Sequence, residues 1–458
     1  MSVAKKPCRV AIVGSGPAAM YAAEHLLEQR EVEVSIDIFE RLPTPWGLVR
    51  AGVAPDHPEK KLVVDRQFAF TFKRPEIRFF GNVEIGKHIR HCELSGWYDA
   101  VFYATGADSD TRLGIPGEDE LAGCWASREF VAWYNGNPAY SHLEFDLSCK
   151  RAVVVGNGNV AIDVARILTM PVEDLEKTDI ADYALDALRS SQIEEVVLLG
   201  RRGHLQGAFN NPELEELEHI PGVDVIIESD DLPETNEVVL DGADWETRRK
   251  VATLRRLAKA EPSAGNKRIV FRFLSSPVEL IGDGRVEQVL VVANHLVRDD
   301  SGRLKPRATE KETLLDAGLV LRAIGYRGTP FPGLPFDDHL GVIANEGGRV
   351  TEHGQPLPGV YVTGWIKRGA KGVIGSNKKC ARDTVRCFFD DLKNNRLTSN
   401  SESPESVAAI VKSRQPEVLD KNAWEKINTQ ERIAGRQQHR PRVKLTTVGE
   451  LLSAAGQT

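Results

Sequence analysis

The chain opens on a short apolar run at residues 9–13, broken by Gly14-Ser-Gly-Pro-Ala-Ala19. Beyond the break, Met20, Ala23, Leu26 and Leu27 recur at three- and four-residue intervals. The run predicts a buried strand and the spacing predicts a helix over residues 18–29. Residues 32–39 read as the next strand, which closes at Glu40. The same succession returns about 140 residues later. There, residues 151–155 predict a strand, Gly156-Asn-Gly-Asn-Val-Ala161 the turn, residues 162–168 the helix and residues 195–199 a second strand that runs into Gly200-Arg-Arg-Gly203. Residues 171–192 read as a helical insertion within this second unit. Two strand–turn–helix–strand openings predict an α/β protein with two dinucleotide-binding, Rossmann-like domains. Tyr98-Asp-Ala-Val-Phe-Tyr-Ala-Thr-Gly106 is a further apolar strand, and its counterpart is Leu319-Val-Leu-Arg-Ala-Ile-Gly325. The chain is therefore expected to leave the first domain near Gly106 and return near Gly325. The expected boundaries are 1–107 and 326–458 for the first domain, with 108–325 inserted as the second. A Ser- and Asn-rich stretch, residues 397–406, reads as an exposed connector to a folded C-terminal segment.

At 458 residues the chain exceeds one ordinary core and suits two or three domains. Its 41% hydrophobic and 27% charged residues are ordinary for a folded protein. A net charge of −7 offers no global attraction to nucleic acid or an anionic membrane. No apolar run approaches the ~20 residues that span a bilayer, so membrane insertion is not expected. Lys5 and Lys6 are followed by no apolar h-region, which argues against a signal peptide. Six cysteines are scattered and none forms a C-x-x-C pair. That argues against a zinc site, a cluster held by this chain or a redox dithiol, and it suits a reducing cytoplasm. No metal is expected, and a monomer or dimer is.

The two glycine loops carry the chemistry. A helix N-terminus offers unpaired N–H groups and partial positive charge to a pyrophosphate. Glycine lets the backbone approach it, as Gly14 and Gly16 do in one loop and Gly156 and Gly158 in the other; Ala19 and Ala161 take the third, small position. One such loop is weak evidence, but two in the same context are strong. The second strands separate the ligands. Glu40 suits ribose hydroxyls, so the first site reads as FAD-binding. No acid stands at the corresponding place in the second unit; Arg201 and Arg202 do, and paired guanidiniums suit the 2′-phosphate of NADP(H). The alternative reading is a solvated surface pair. The span from Gly156 to Arg201 is also far longer than the usual ~20 residues.

Taken with the next segments, these loops resemble one family. Leu42-Pro-Thr-Pro-Trp-Gly-Leu-Val-Arg-Ala-Gly-Val-Ala-Pro-Asp-His-Pro58, Gly200-Arg-Arg-Gly203, Gly364-Trp-Ile-Lys-Arg-Gly369 and Gly372-Val-Ile-Gly-Ser-Asn-Lys378 are similar to segments of adrenodoxin reductase-type ferredoxin–NADP reductases, the bacterial members above all. The likeness runs from about residue 8 to Pro441-Arg-Val-Lys-Leu445. It implies a flavoprotein that takes a hydride from NADPH and passes single electrons to a ferredoxin-type iron–sulfur protein. By position it implies FAD contacts at Ala18, Glu40, Leu48, Val83, Trp365, Gly372, Val373 and Ile374. The implied NADP contacts are Asn157, Gly158, Asn159, Val160, Arg201, Arg202 and Glu213. It also puts His57 and Glu216 near the nicotinamide as catalytic residues. Two departures stand out: Ala370-Lys371 in place of Pro-Thr, and Asn210-Asn211-Pro212 in place of a Thr-rich helix start.

Asn211 and Pro212 read as a cap and first position of a helix, and for Glu215 stabilisation of that helix's dipole is explanation enough. A basic cluster, Arg248-Arg-Lys250 with Arg255, Arg256 and Lys259, offers a docking face for an acidic ferredoxin and reads equally as a solvated helix face. The alternatives are an NADPH-dependent flavoprotein subunit with another acceptor, which would be expected to carry cluster cysteines, and a nucleotide-sensing flavoprotein that binds FAD without turnover. His57→Gln is expected to slow hydride transfer followed by stopped flow; an unchanged rate removes His57 from the mechanism.

Overall fold

The computed structural model describes residues 7–29, 32–228, 232, 242–397 and 402–457. The chain folds as two compact units. Unit 1 takes the chain up to Ser109, Asn135–Ser141 and everything from Gly325 on; unit 2 takes Asp110–Tyr134 and His142–Ile324. The short Asn135–Ser141 piece carries no sequence signal that assigns it to unit 1.

Among the described residues, unit 1 is built on a seven-stranded sheet. Its order is Asn345–Glu346, Arg349–Glu352, Gln355–Val362, Ala100–Tyr103, Cys8–Val13, Val34–Glu40, Ile77–Gly81. The last five of these strands run parallel. Both faces are covered, which explains why its strands are continuously apolar rather than alternating. Val10 and Ile12 join one core with Ile36, Ile38 and Phe102; Ala11 and Val13 join the other with Phe39, Val101 and Tyr103. Helices Pro17–Glu28 and Ser376–Lys393 cover the first face, with Ala19, Ala22, Ala381 and Phe388 in that core.

Unit 2 holds an all-parallel six-stranded sheet, Cys124–Ala126, Leu319–Arg322, Arg151–Val155, Glu195–Leu199, Lys267–Arg272, Val223–Ile227. Beside it lies a three-stranded antiparallel sheet, Ser275–Ile281, Gln288–Arg298, Leu304–Asp316. The insertion at 171–192 forms two short helices, Val172–Leu175 and Asp182–Arg189. The strand expected over 98–106 is confined to Ala100–Tyr103, because Tyr98 is the C-cap of helix His91–Trp97, its N–H donating to the Leu94 carbonyl at 3.0 Å; its hydroxyl donates to Asp37 at 2.5 Å. Of the expected connector, residues 398–401 lie outside the described residues. Its far end becomes helical at Pro404–Arg414, where the Ser403 hydroxyl accepts from the Ser406 N–H at 3.1 Å.

Within unit 1 the C-terminal segment packs Trp424, Ile427 and Leu451 into the core and also converges on one buried charge. Glu431, on helix Lys421–Gln437, is fully buried. It accepts from both Arg50 terminal nitrogens at 2.8 and 2.5 Å, from Arg442 at 2.9 Å and from the Leu445 N–H at 2.9 Å. Lys444 adds bonds to the Arg50 carbonyl at 3.3 Å and to Asn135 at 3.2 Å, and so ties in the stray Asn135–Ser141 piece. Burial pushes the Glu431 carboxyl up, but the charges of Arg50 and Arg442 outweigh it and hold it below the ordinary value of 4.5. A carboxyl depressed on folding stabilises above its unfolded value, and that contribution is lost as pH falls through the folded one. Glu431→Gln removes the buried charge that both guanidiniums face and is expected to lower unfolding stability by about 3–5 kcal/mol at neutral pH. The gap from the parent protein should narrow below about pH 4. A urea titration of both proteins across pH checks this, and a loss that does not shrink on acidification overturns it.

Candidate dinucleotide-binding sites

In unit 1 the strand Cys8–Val13 turns at Gly14, whose φ of +99° suits glycine. A Cβ there would lie 2.6 Å from the Ala104 carbonyl oxygen. Gly16 caps helix Pro17–Glu28 without any side-chain cap, and Pro17 stands at its first position. The Met20 N–H is the first to bond back, to Gly16 at 3.1 Å, so the Ala18 and Ala19 N–H groups have no intrahelical acceptor. Glu40 ends the neighbouring strand, 8% exposed. One of its oxygens accepts from the Ser15 N–H at 3.0 Å and hydroxyl at 2.6 Å, the other from the Leu42 N–H at 3.1 Å. The carboxylate is thus aimed by the glycine loop itself, and the second oxygen keeps an acceptor position. Val83 is buried behind it, its N–H donating to the Glu40 carbonyl at 2.8 Å.

The Pro-Trp-Gly turn is laid on this loop. The Trp46 N–H donates to the Ser15 carbonyl at 3.2 Å, and a Cβ on Gly47 would meet the Gly16 Cα at 3.0 Å. Trp46 holds a φ of +87°, costly for a bulky residue, and its buried indole is wedged among Phe68, Phe72 and Trp424. Leu48 follows, 38% exposed. From the C-terminal part, Gly364 reaches the same helix: a Cβ on it would come 2.5 Å from that of Ala18. Trp365 opens the short helix Trp365–Arg368, and its buried indole nitrogen has no hydrogen-bond partner. Gly372, at φ +84°, Val373 and Ile374 lead into helix Ser376–Lys393, and Arg368 spans the turn to Ser376 at 3.2 Å and Asn377 at 3.0 Å. Open helix N–H groups, an aimed carboxylate, an unpartnered indole N–H and exposed Leu48 and Val373 form a donor and apolar set that fits a flavin dinucleotide. Gly47, Gly364 and Arg368 were not singled out from sequence; their roles depend on chain segments far apart in sequence.

His57 is buried and caps helix Pro58–Val63. Lys60 donates to its Nδ1, which places the ring proton on Nε2 in the neutral tautomer. His57 belongs to unit 1 and Glu216 to unit 2.

Unit 2 repeats the strand–turn–helix design. Gly156 has φ +134°, and a Cβ there would lie 2.4 Å from the Ala323 carbonyl oxygen. Gly158 caps helix Asn159–Thr169 without a side-chain cap, and Ile162 is the first to bond back, at 3.2 Å, which leaves the Val160 N–H without an intrahelical acceptor. The Asn157 carbonyl accepts from the Ala208 N–H at 3.1 Å, and its side chain packs where a Cβ on Gly200 would stand. The Asn159 side chain accepts from the Asn210 N–H at 2.8 Å. Arg201 and Arg202 follow strand Glu195–Leu199. Their carbonyls are pinned by the Asn294 side chain and the Leu274 N–H, both at 3.1 Å, while no ion pair is described for either guanidinium.

Helix Asn211–Glu216 is capped by Asn210 rather than by the expected Asn211, whose side chain donates instead to the Glu246 carbonyl at 3.1 Å. Glu213 on this helix is buried; Glu216 pairs with the buried Arg166 at 3.4 Å. Glu215 does more than stabilise a helix dipole: Arg249 grips it at 2.6 Å through two nitrogens and holds its carboxyl below the usual range. Arg256 likewise grips Glu218, and Lys250 is half-buried and donates to the Gly207 carbonyl at 2.5 Å. Half of the basic cluster read as a docking face is therefore spent within unit 2.

Residues 8–226 match the pyridine nucleotide-disulphide oxidoreductase family. The chain is 48% identical over 456 residues to NADPH-ferredoxin reductase FprA of Mycobacterium tuberculosis, across 98% of this chain and 99% of that protein. It is 39% identical over 471 residues to the mitochondrial NADPH:adrenodoxin oxidoreductase of Arabidopsis thaliana, across 99% and 96%. The solved structure of Mycobacterium tuberculosis FprA in complex with NADPH superposes with a TM-score of 0.95 at 47% identity, covering 98% of this chain and 100% of that one. Similarity of this extent, over the whole length and both glycine loops, makes the chain a member of the adrenodoxin reductase-type family of ferredoxin–NADP reductases.

Proposed function

We infer that this protein is an FAD-dependent NADPH–ferredoxin reductase. One NADPH is oxidised to NADP⁺, two iron–sulfur clusters are each reduced by one electron, and one proton is released. The observation that carries this reading is the contrast between the two strand ends: an aimed carboxylate at Glu40, and at Arg201 and Arg202 two guanidiniums with no described ion pair. A carboxylate suits a free ribose diol and repels a 2′-phosphate; the guanidiniums do the reverse. When bound, FAD supplies the conversion between a two-electron donor and one-electron acceptors.

The chain's own part is binding, orientation and charge. Gly14, Gly16, Ala18 and Ala19 would hold the flavin pyrophosphate, with Glu40 on the ribose. Leu48, Val83, Trp365, Gly372, Val373 and Ile374 would enclose the rest, and the open end of helix Ser376–Lys393 favours negative charge nearby. Asn157, Gly158, Asn159 and Val160 would hold the nicotinamide coenzyme's pyrophosphate, with Arg201, Arg202 and Glu213 around the remainder. His57 presents Nε2–H as a donor, and Glu216, steadied by Arg166, presents an acceptor; the two would orient the nicotinamide or hold a proton. An iron–sulfur ferredoxin is the acceptor. Among the described residues no helix is long and apolar enough to cross a membrane. All six cysteines are free thiols, which supports a reducing, cytoplasmic setting.

Reduction of a ferredoxin, reported by cytochrome c, under NADPH and then NADH tests the assignment. A yellow protein is expected that needs ferredoxin for fast cytochrome reduction and prefers NADPH. Arg201→Ala with Arg202→Ala is expected to raise KM for NADPH about tenfold or more while leaving NADH unaffected, each lost charge-assisted bond being worth about 1.5–3 kcal/mol. Equal KM changes for both coenzymes remove the two arginines from 2′-phosphate recognition. A protein that cannot be reconstituted with FAD overturns the whole reading.

A further inference from the structure

We propose that the Arg368 guanidinium is the fixed positive charge that stabilises the flavin in its reduced form; this rests on the flavin placement given under the proposed function. Arg368 closes the short helix Trp365–Arg368 and is partly buried. Its side chain runs back along the loop that follows. One terminal nitrogen donates to the Lys371 carbonyl, the other to the Ser376 hydroxyl at 3.2 Å and the Asn377 side-chain oxygen at 3.0 Å. Gly372 lies beside this bridge: a Cβ on it would stand 3.9 Å from the first nitrogen. The guanidinium is thus anchored against Gly372, Val373 and Ile374, the stretch assigned to the flavin.

Every one of these acceptors is neutral. Among the described residues no carboxylate pairs with Arg368, whereas Arg249 is held by Glu215, Arg256 by Glu218 and Arg349 by Asp390 and Asp391. The neighbouring sequence supplies no acid either: residues 353–382 contain Lys367, Arg368, Lys371, Lys378, Lys379 and Arg382 and no Asp or Glu. Lys367 turns away, to the Gly347 carbonyl and the Thr384 hydroxyl, both at 2.9 Å. Lys371, Lys378, Lys379 and Arg382 are exposed, where water and salt weaken their fields. Arg368 is the cation of this segment that is partly buried, anchored at both terminal nitrogens and set beside the loop. A clip between neutral acceptors needs no ionic group, since an amide can donate to them as well, and partial burial of an unpaired charge is costly. The charge is of no use to the fold and suits an anion bound at the loop.

Reduction supplies that anion. A hydride from NADPH carries two electrons and one proton to the oxidised flavin ring, NADPH leaving as NADP⁺, so the ring gains one negative charge. A cation beside it stabilises the reduced form over the oxidised one, and the open N–H groups at the head of helix Ser376–Lys393 act in the same direction. Arginine keeps its charge at any working pH. When two electrons later pass singly to two iron–sulfur clusters, one proton is released and the ring returns to its uncharged state.

The test measures the two-electron midpoint potential of the bound FAD by equilibrium titration against a reference dye, which needs no ferredoxin. Arg368→Gln keeps donors for the loop and removes the charge. It is expected to disfavour the reduced flavin at least tenfold, a fall of about 30 mV for a two-electron couple. Arg368→Lys keeps the charge and should recover most of the parent potential. Lys379→Gln, which removes an exposed charge nearby in the chain, should leave it unchanged. An Arg368→Gln protein that retains FAD at the parent potential overturns the proposal. So does an Arg368→Lys protein that falls as far as Arg368→Gln, because the arginine would then serve only the shape of the loop. An equal fall in Lys379→Gln assigns the field to the whole segment and overturns it too. Loss of FAD from Arg368→Gln overturns it as well, because the residue would then hold the oxidised cofactor in place. A parent protein that cannot be loaded with FAD fails at the reductase reading instead, before any variant is compared.

Discussion

The structure depends on backbones approaching more closely than any side chain would allow. Gly14 sits where a Cβ would lie 2.6 Å from the Ala104 carbonyl oxygen, and Gly156 where one would lie 2.4 Å from that of Ala323. In both units this contact lets a parallel strand turn sharply into its helix with the first N–H groups left open. Unit 1 then adds two approaches of its own, Gly47 onto Gly16 and Gly364 onto Ala18. They stack two distant stretches of chain on one helix end. The left-handed backbone of Trp46 shows that this stacking is held against local preference, by an indole packed on three aromatic rings.

Charge is handled in two ways. Where the fold needs a charge inside, it surrounds it: Glu431 meets Arg50, Arg442 and a backbone N–H, and the same group ties the end of the chain to the turn that follows Trp46. Where a cation has no described ion pair, as at Arg201 and Arg202, its charge is open to a ligand, which is the use proposed for these two. Sorting cations by whether a carboxylate already holds them separates the two uses better than counting them. The cluster around Arg248 looked basic in sequence, yet Arg249 and Arg256 face Glu215 and Glu218 across neighbouring helices.

The proposed division of the two cofactors rests first on how Glu40 is held. Its carboxylate is not free to turn; Ser15, a residue of the glycine loop, and Leu42 hold both oxygens. The residue proposed to recognise a ribose is thus oriented by the loop proposed to hold the phosphates. In unit 2 the matching place is taken by Arg201 and Arg202, whose carbonyls are held by Asn294 and Leu274 while no ion pair is described for their long side chains, which could close on a phosphate.

The sequence alone determined the parts governed by local physics. Apolar runs and glycine spacing made legible the two strand–turn–helix units and strand Glu195–Leu199. Tertiary structure decided whatever required distant segments to meet. The Tyr98 hydroxyl found Asp37, 61 residues away; Asn135–Ser141 was assigned to unit 1, where Lys444 reaches it; and Glu215, fit by its place in a helix for a dipole role, was claimed by Arg249. The physical reason is the same in each case. Propensity and periodicity act over a few residues, whereas the partner that satisfies a buried hydroxyl or charge can stand anywhere along the chain, and only packing chooses it.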